Sequence, residues 1–209
     1  MEKISEFTVR RLSSYYRILT DLEKKNVLTV SSKKLAVLGG SSSAQVRKDL
    51  SYFGKFGTRG LGYNVQELRS RIVNILGLHQ KWTMALFGTG SLGAALFFHQ
   101  GFRDDGFFFK YLFDEDPEKI GDKWGRLEIM PANRAEELLL SDPVHIGVIT
   151  TPEDAAQEVT DLLVKTGVKG ILNFATRELA VPEQVNLRNV NLSVALESLS
   201  FSLATPQGQ

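Results

Sequence analysis

Trp82-Thr83-Met84-Ala85-Leu86-Phe87 runs straight into Gly88-Thr89-Gly90-Ser91-Leu92-Gly93, and Ala94-Ala95-Leu96-Phe97-Phe98 follows. The apolar run reads as a strand buried on both faces, and residues 91–99 read as a helix. The G-x-G-x-x-G between them has a physical logic. Gly88 permits a tight bend, Gly90 lets a pyrophosphate approach the backbone, and Gly93 lets helix and strand pack closely, while the helix start supplies N–H groups. The motif alone is weak; its test is an acidic residue ending the next strand about 20 residues on. Phe107-Phe108-Phe109-Lys110-Tyr111-Leu112-Phe113 leads into Asp114, 21 positions after Gly93. Strand, turn, helix, strand and acid thus stand in the order of a dinucleotide site. The plainer alternative is a Gly-rich turn with a surface acid.

Toward the C-terminus the alternation continues. A helix near 134–140, a strand over 144–149, a helix over 153–165 and a strand over 170–174 predict an α/β domain with a doubly wound parallel sheet, residues 80–191. Ligands bind at the carboxyl ends of such strands. That rule gathers Gly88, Thr89, Gly90, Ser91, Leu92, Gly93, Asp114, Thr150, Thr151, Pro152 and Asn173 as cofactor-binding candidates around one crevice. Asp114 can accept hydrogen bonds from the adenosine ribose hydroxyls. With Glu115 and Asp116 beside it, a 2′-phosphate would meet several negative charges, which favours NADH and NAD+ over the phosphorylated forms. Thr150 and Thr151 are either nicotinamide-ribose contacts or plain turn residues; Asn173 is assigned to the nicotinamide end. Residues 192–209 form a separate tail, in which Leu192, Leu196, Leu199 and Leu203 make an apolar helical stripe and residues 204–209 read as frayed.

The composition narrows the classes. With 43% hydrophobic and 23% charged residues the chain reads as a soluble globular protein. It has no cysteine, which excludes disulfides, thiolate metal sites and a thiol switch. No secretory signal or membrane span is legible, so a cytoplasmic protein is expected. The net charge of +1 hides an asymmetry: residues 1–79 hold 14 Lys and Arg against 6 Asp and Glu, and residues 80–209 hold 11 against 18. A basic first domain suits nucleic acid or an anionic membrane; uneven surface decoration is the bland alternative.

That first domain, residues 1–79, reads as helices. Leu12, Tyr15, Tyr16, Leu19 and Leu22 predict a long amphipathic helix over 8–25, with Arg10, Arg11 and Arg17 along it. Ser31 reads as the N-cap of a helix over 32–38, closed by Gly39-Gly40. Ser42 with Gln45 fits a capping box opening the next helix. On it Val46, Leu50 and Phe53 share the face to be buried; Gln45, Lys48 and Tyr52 fall opposite, with Arg47 at the flank. Two helices about a glycine turn make a helix-turn-helix, whose second helix enters a major groove. Ser43, Gln45, Arg47, Lys48 and Tyr52 are then DNA-binding candidates, joined by Arg10 from the first helix. On this helix alone, a solvated face with Gln45 as a mere cap stands equally. Gly54–Tyr63 then reads as a hairpin wing carrying Lys55 and Arg59 to phosphates or the minor groove. A helix from Val65 ends at Gly77.

Gln45-Val46-Arg47-Lys48-Asp49-Leu50-Ser51-Tyr52-Phe53-Gly54, with Phe56-Gly57, Arg59-Gly60 and Gly62-Tyr63, strongly resembles the signature of the Rex redox-sensing transcriptional repressors. The resemblance continues through Gly88–Gly93, Gly101-Phe102, Phe113-Asp114 with Asp116-Pro117, Ala155-Ala156-Gln157, Gly170–Ala175 and Asn189-Val190. It implies an N-terminal winged helix, a C-terminal Rossmann domain, homodimers on palindromic operators, repression of respiration and fermentation genes, and release from DNA by NADH. It also implies that the tail helix, from Leu192, crosses to the partner subunit. Two positions depart from the family's pattern. His99 stands where many members have Tyr, and Asn191 where they have Asp, a residue that could pair with an Arg such as Arg17. Those positions bear on coupling of ligand to DNA, so the departures bear on the strength of the redox response.

The expected function is therefore an NADH-sensing repressor, with no catalytic or metal site. The alternatives are an NAD-dependent dehydrogenase with an accessory basic domain, and a DNA-binding protein with a weakened redox response. The dehydrogenase needs an acid–base group near the nicotinamide, and His79, His99 and His145 are the only histidines.

Overall fold

The computed structural model describes residues 4–57 and 61–204. The chain divides into two compact units, Met1–Gln80 and Lys81–Gln209. The first contains α1 (Glu6–Lys24), β1 (Thr29–Val30), α2 (Ser32–Leu38), α3 (Ser43–Ser51), β2 (Tyr63–Asn64) and α4 (Val65–Ile75). Serines begin three of the four helices: Ser5, Ser31 and Ser42 each accept a hydrogen bond from the backbone N–H three residues on, closing one of the orphan donors of a first turn. Leu12, Tyr15 and Leu19 of α1, Leu35 of α2, Val46 and Leu50 of α3 and Ile72 of α4 form the core. Arg69 of α4 adds a bond to Thr20 and an ion pair with Glu23 on α1.

Two expectations for this unit change. The capping box is half formed: Ser42 caps α3, but the Gln45 side chain turns to Asp49 at 2.8 Å and not back to the cap. The wing also has a partner outside itself: its return strand β2 pairs antiparallel with β1, the strand before α2, with Val30 opposite Tyr63. The tip, with Arg59, lies outside the described residues, as do residues 205–209 of the tail.

The second unit continues with β3 (Trp82–Phe87), α5 (Ser91–Phe97), α6 (Gln100–Asp104), β4 (Phe107–Asp114), β5 (Lys123–Trp124), β6 (Leu127–Pro131), α7 (Ala135–Ser141), β7 (Ile146–Ile149), α8 (Glu153–Lys165), β8 (Gly170–Asn173), β9 (Asn186–Asn189) and α9 (Leu192–Ala204). The sheet order is β5-β6-β4-β3-β7-β8-β9, parallel throughout except for the short β5. The six parallel strands follow the 3-2-1-4-5-6 order of the Rossmann fold. Residues alternate between faces. Ala85 and Phe87 meet α7 and α8 through Leu139, Ala156 and Leu163; Met84 and Leu86 face Phe97 of α5. The helix expected over 91–99 stops at Phe97, and α6 starts afresh after His99.

Candidate functional site

Register builds the crevice. Phe87 pairs with Phe113 on one side and Ile149 on the other, so Gly88, Asp114 and Thr150 leave their strands at one level. The order reverses between β3 and β7, the place where open α/β sheets bind ligands. A cavity of about 580 Å³ opens there, walled by Gly88, Gly90, Asp114, Lys119, Thr151 and Pro152 among others.

Its floor is backbone packed to contact. Gly88 sits at φ +93°, and a Cβ there would lie 2.8 Å from the carbonyl of Thr150. At Gly93 a Cβ would lie 2.2 Å from the Gly88 oxygen, so helix and turn can only meet without one. Thr150 Oγ1 donates to the carbonyls of Phe87 and Gly88, which makes it a brace for the turn. Gly90 differs: a Cβ there meets no protein atom within 4 Å, which leaves open space above the backbone. Ser91 and Leu92 are exposed on the first turn of α5. Thr151 Oγ1 is buried without a hydrogen-bond partner among the described residues. A buried unpaired hydroxyl is costly, so this one is poised for a ligand atom. Pro152 is exposed and starts α8.

Asp114 ends β4 with its side chain only 10% exposed. Oδ2 accepts from both the amide and the hydroxyl of Thr89, and Oδ1 accepts from the Asp116 amide at 3.0 Å. Burial pushes its carboxyl up, but the bonds from Thr89 and Asp116, helped by the Lys119 ammonium, prevail and hold it below the ordinary value. The carboxylate stays charged, with lone pairs left for ribose hydroxyls. Lys119 bridges Asp114 and Asp116 at 3.6 and 3.2 Å. The rim of Asp114, Glu115 and Asp116 against one Lys119 remains net negative.

Two cofactor candidates have side chains engaged within the chain. Thr89 is buried and gives both its amide N–H and its hydroxyl hydrogen to Asp114, so it positions the acid. Asn173 is fully buried; its Nδ2 donates to the carbonyls of Ala175 and Arg177 and to Asn189 Oδ1, and its Oδ1 accepts from the Ala175 amide. It anchors the chain after β8 through these bonds. None of the three histidines lines the crevice among the described residues. His145 bonds Thr83 at the opposite ends of the strands. His99 is exposed before α6, with its ring edge-on to Phe102. Asn191 Oδ1 accepts from the Ser193 amide and so caps α9, as an aspartate could.

In the first unit Arg47, Lys48 and Tyr52 are exposed along α3, while Ser43 is half-buried in its first turn. Arg47 also donates to Ser32, tying α3 to α2. Lys55 is exposed after α3, and its carbonyl accepts from Arg71. Arg10 is paired with Glu6 one turn back, and Arg17 is exposed on α1. Gln45 is half-buried, so its amide is shared between the helix edge and Asp49. What the sequence reading did not find is Asp49 itself, buried beneath Arg11, Tyr15 and Gln45. A signal was there: at 100° per residue Asp49 adjoins the Val46–Leu50 apolar face, and a charge at such a place demands a partner.

A helix-turn-helix unit in one chain with a dinucleotide crevice is the architecture of a ligand-responsive transcriptional regulator. A family model described as "Putative DNA-binding protein N-terminus" matches residues 3–51, and one described as "CoA binding domain" matches residues 79–177. The chain is 50% identical over 203 residues to the redox-sensing transcriptional repressor Rex of Desulfitobacterium hafniense, covering 97% of each protein. A crystal structure of RSP in complex with β-NAD+ and operator DNA superimposes with a TM-score of 0.92 at 37% identity, over 97% of this chain and 94% of that one. RSP in complex with β-NADH gives 0.89 at 36%, over 97% and 95%. The chain belongs to the Rex family of redox-sensing transcriptional repressors.

Proposed function

We propose that the protein binds a two-fold symmetric operator as a homodimer and that NADH in the crevice lowers its affinity for that DNA. The observation that carries this reading is a net-negative dinucleotide crevice in one unit of a chain whose other unit offers a basic helix-turn-helix. The crevice fits the cofactor by its own features: open space over Gly90 for a pyrophosphate, a charged Asp114 for ribose hydroxyls, and an unpaired Thr151 hydroxyl. The relatives whose structures hold NADH, NAD+ and operator DNA support the same ligands here. NAD(H) acts as a signal: it shifts the dimer only by binding two arrangements unequally.

On the DNA side, Lys48, Arg47, Tyr52 and Ser43 of α3 are assigned to the major groove, and Lys55 and Arg59 to phosphates or the minor groove. Arg10 is a weaker candidate, because it must leave Glu6. Dimerisation is assigned to α9, which leaves Leu192, Leu196, Leu199, Phe201 and Leu203 exposed on a helix with no buried residue. Such a surface calls for a second copy. Domains of 1–79 and 80–191 with a dimerising tail from 192, in a cytoplasmic regulator, complete the assignment. A gel shift of operator DNA at several NADH/NAD+ ratios tests it. Release by NADH and not by NAD+ is expected; equal effects of the two would refute redox sensing.

A second reading has its own support. Asn191 keeps the cap of α9 but lacks the charge that an Arg such as Arg17 could meet, and His99 replaces a phenol. A shallower response to the NADH/NAD+ ratio would identify a weakened sensor.

A further inference from the structure

The buried carboxylate of α3 leads to a DNA contact that the exposed face of that helix does not contain. Asp49 has no exposed surface, and three side chains converge on it. Arg11 donates through Nε at 2.6 Å and Nη2 at 2.7 Å, Tyr15 at 3.0 Å, and Gln45 at 2.8 Å. Arg11 Nη2 also reaches Thr8 Oγ1 at 3.3 Å. No described residue takes the N–H groups of Arg11 Nη1, and the side chain keeps 30% of its exposure. The guanidinium is thus held along one edge and open along another.

Helix geometry says where Asp49, and with it Arg11, stands on α3. At 100° per residue, the order around α3 from the buried arc outward runs Asp49, Gln45, Tyr52, Lys48. Arg11 therefore flanks the Gln45–Tyr52–Lys48 edge and not the Arg47 edge. A buried ion pair is a poor source of stability; well-packed apolar groups of similar volume hold two helices at least as well. What the pair does supply is orientation. Ordering a long side chain at an interface costs conformational entropy, and in Arg11 the fold has already imposed that order. A planar guanidinium with two free donors matches a phosphate.

We propose that Arg11 is a phosphate ligand of the operator, with Asp49 holding its inner edge while Nη1 donates to a backbone phosphate beside the groove that α3 enters. This rests on α3 being the recognition helix. Asp49 offsets much of the charge, so the contact works through direction more than through counterion release. A lysine would keep the charge and lose the fork.

The test is a coupling measurement. Operator duplexes carrying a single methylphosphonate, moved one phosphate at a time across a half-site, are titrated with the wild type and with Arg11→Lys. At one position per half-site the wild type loses about tenfold in affinity, the scale of a hydrogen bond to a charged group. Arg11→Lys binds the unmodified operator more weakly and is indifferent to that substitution. Additive effects at every position overturn the proposal while leaving α3 as the recognition helix. A wild type that fails to bind operator at all overturns the reading of α3 itself. Should Arg11→Lys not fold, the wild type suffices: the Arg11 side-chain nitrogen resonances shift on adding operator and stay put with the methylphosphonate at that position. No shift with unmodified operator refutes the contact.

Discussion

Thr89 gives both its amide N–H and its hydroxyl to one oxygen of Asp114, at 2.6 Å each. The middle residue of the first glycine pair is thereby tied to the acid at the end of the neighbouring strand. The glycine turn and the acid, proposed above to hold pyrophosphate and ribose, are joined by these two bonds. Thr89→Val removes the hydroxyl at nearly constant volume and leaves the amide. NADH affinity should fall about tenfold, the scale of one charge-assisted hydrogen bond, with ligand-free operator binding unchanged. Calorimetric titration decides it; a dissociation constant within twofold of the wild type would sink the idea.

The glycines separate binding from folding. Gly90 has ordinary backbone angles, φ −72° and ψ −169°, and open space where a Cβ would go. Gly90→Val should therefore fold normally and lose NADH binding, because its side chain fills the space left for a pyrophosphate. Gly93→Ala should instead destabilise the second unit by about 1–3 kcal/mol through overpacking against Gly88. Melting curves with and without NADH distinguish the two. A Gly90→Val protein still stabilised by NADH would show that the turn is misplaced.

On DNA, Lys48→Ala should weaken operator binding and flatten the dependence of log K on log salt by about one unit, one lost phosphate contact. Arg59→Ala should behave alike. Anisotropy titrations between low and physiological salt provide the slopes. An unchanged slope in both variants would remove them from the interface.

The Asp49 network gives the first unit a pH window. Burial pushes the Asp49 carboxyl up, but bonds from Arg11, Gln45 and Tyr15 outweigh it and hold the group below its ordinary 3.8. Its contribution is full above the unfolded value and is lost as pH falls through the folded one. Burial pushes the Tyr15 phenol from 10.0 up to about 12. That contribution is full below 10 and is lost as pH rises toward 12. Thermal melts across pH should fall off on both sides. Tyr15→Phe should flatten the alkaline side alone, and an identical alkaline fall in that variant would assign it elsewhere.

The proposed dimer contact on α9 can be tested with charge. Leu196→Asp with Leu199→Asp places two carboxylates on the apolar stripe of α9, and sedimentation should then show a monomer with much weakened operator binding. An intact dimer would move the interface off α9.

Most of this architecture was legible in the residues. Strand β3 and helices α2 and α8 were found at their ends, because apolar runs and serine or proline starts mark them. The doubly wound parallel sheet was implied by β3, β4, β7 and β8 alone. The two missed parallel strands have physical reasons. Asn186-Leu187-Arg188-Asn189 is an edge strand with little to bury, and its asparagines are poor strand formers. Leu127–Pro131 is short and ends in a residue with no N–H to pair. The rim was found from strand ends, but neighbouring groups decide whether a polar side chain faces inward or out. Asn173 lies at a strand end and binds its own chain; Thr89 lies inside the motif and binds Asp114. One partner of each lies 16 or 25 positions away, which no local pattern contains, and the others of Asn173 are backbone groups of Ala175 and Arg177 that only the turn after β8 brings to it.

The apolar helix α9 has a consequence for abundance. A lone protomer carries Leu192, Val194, Leu196, Leu199, Phe201 and Leu203 in water on 13 residues, a surface that favours aggregation or degradation over waiting. Assembly then protects the chain, since whatever binds only the folded pair stabilises it by mass action. With the proposed pairing through α9, occupancy of DNA would depend on protomer concentration more steeply than in simple proportion.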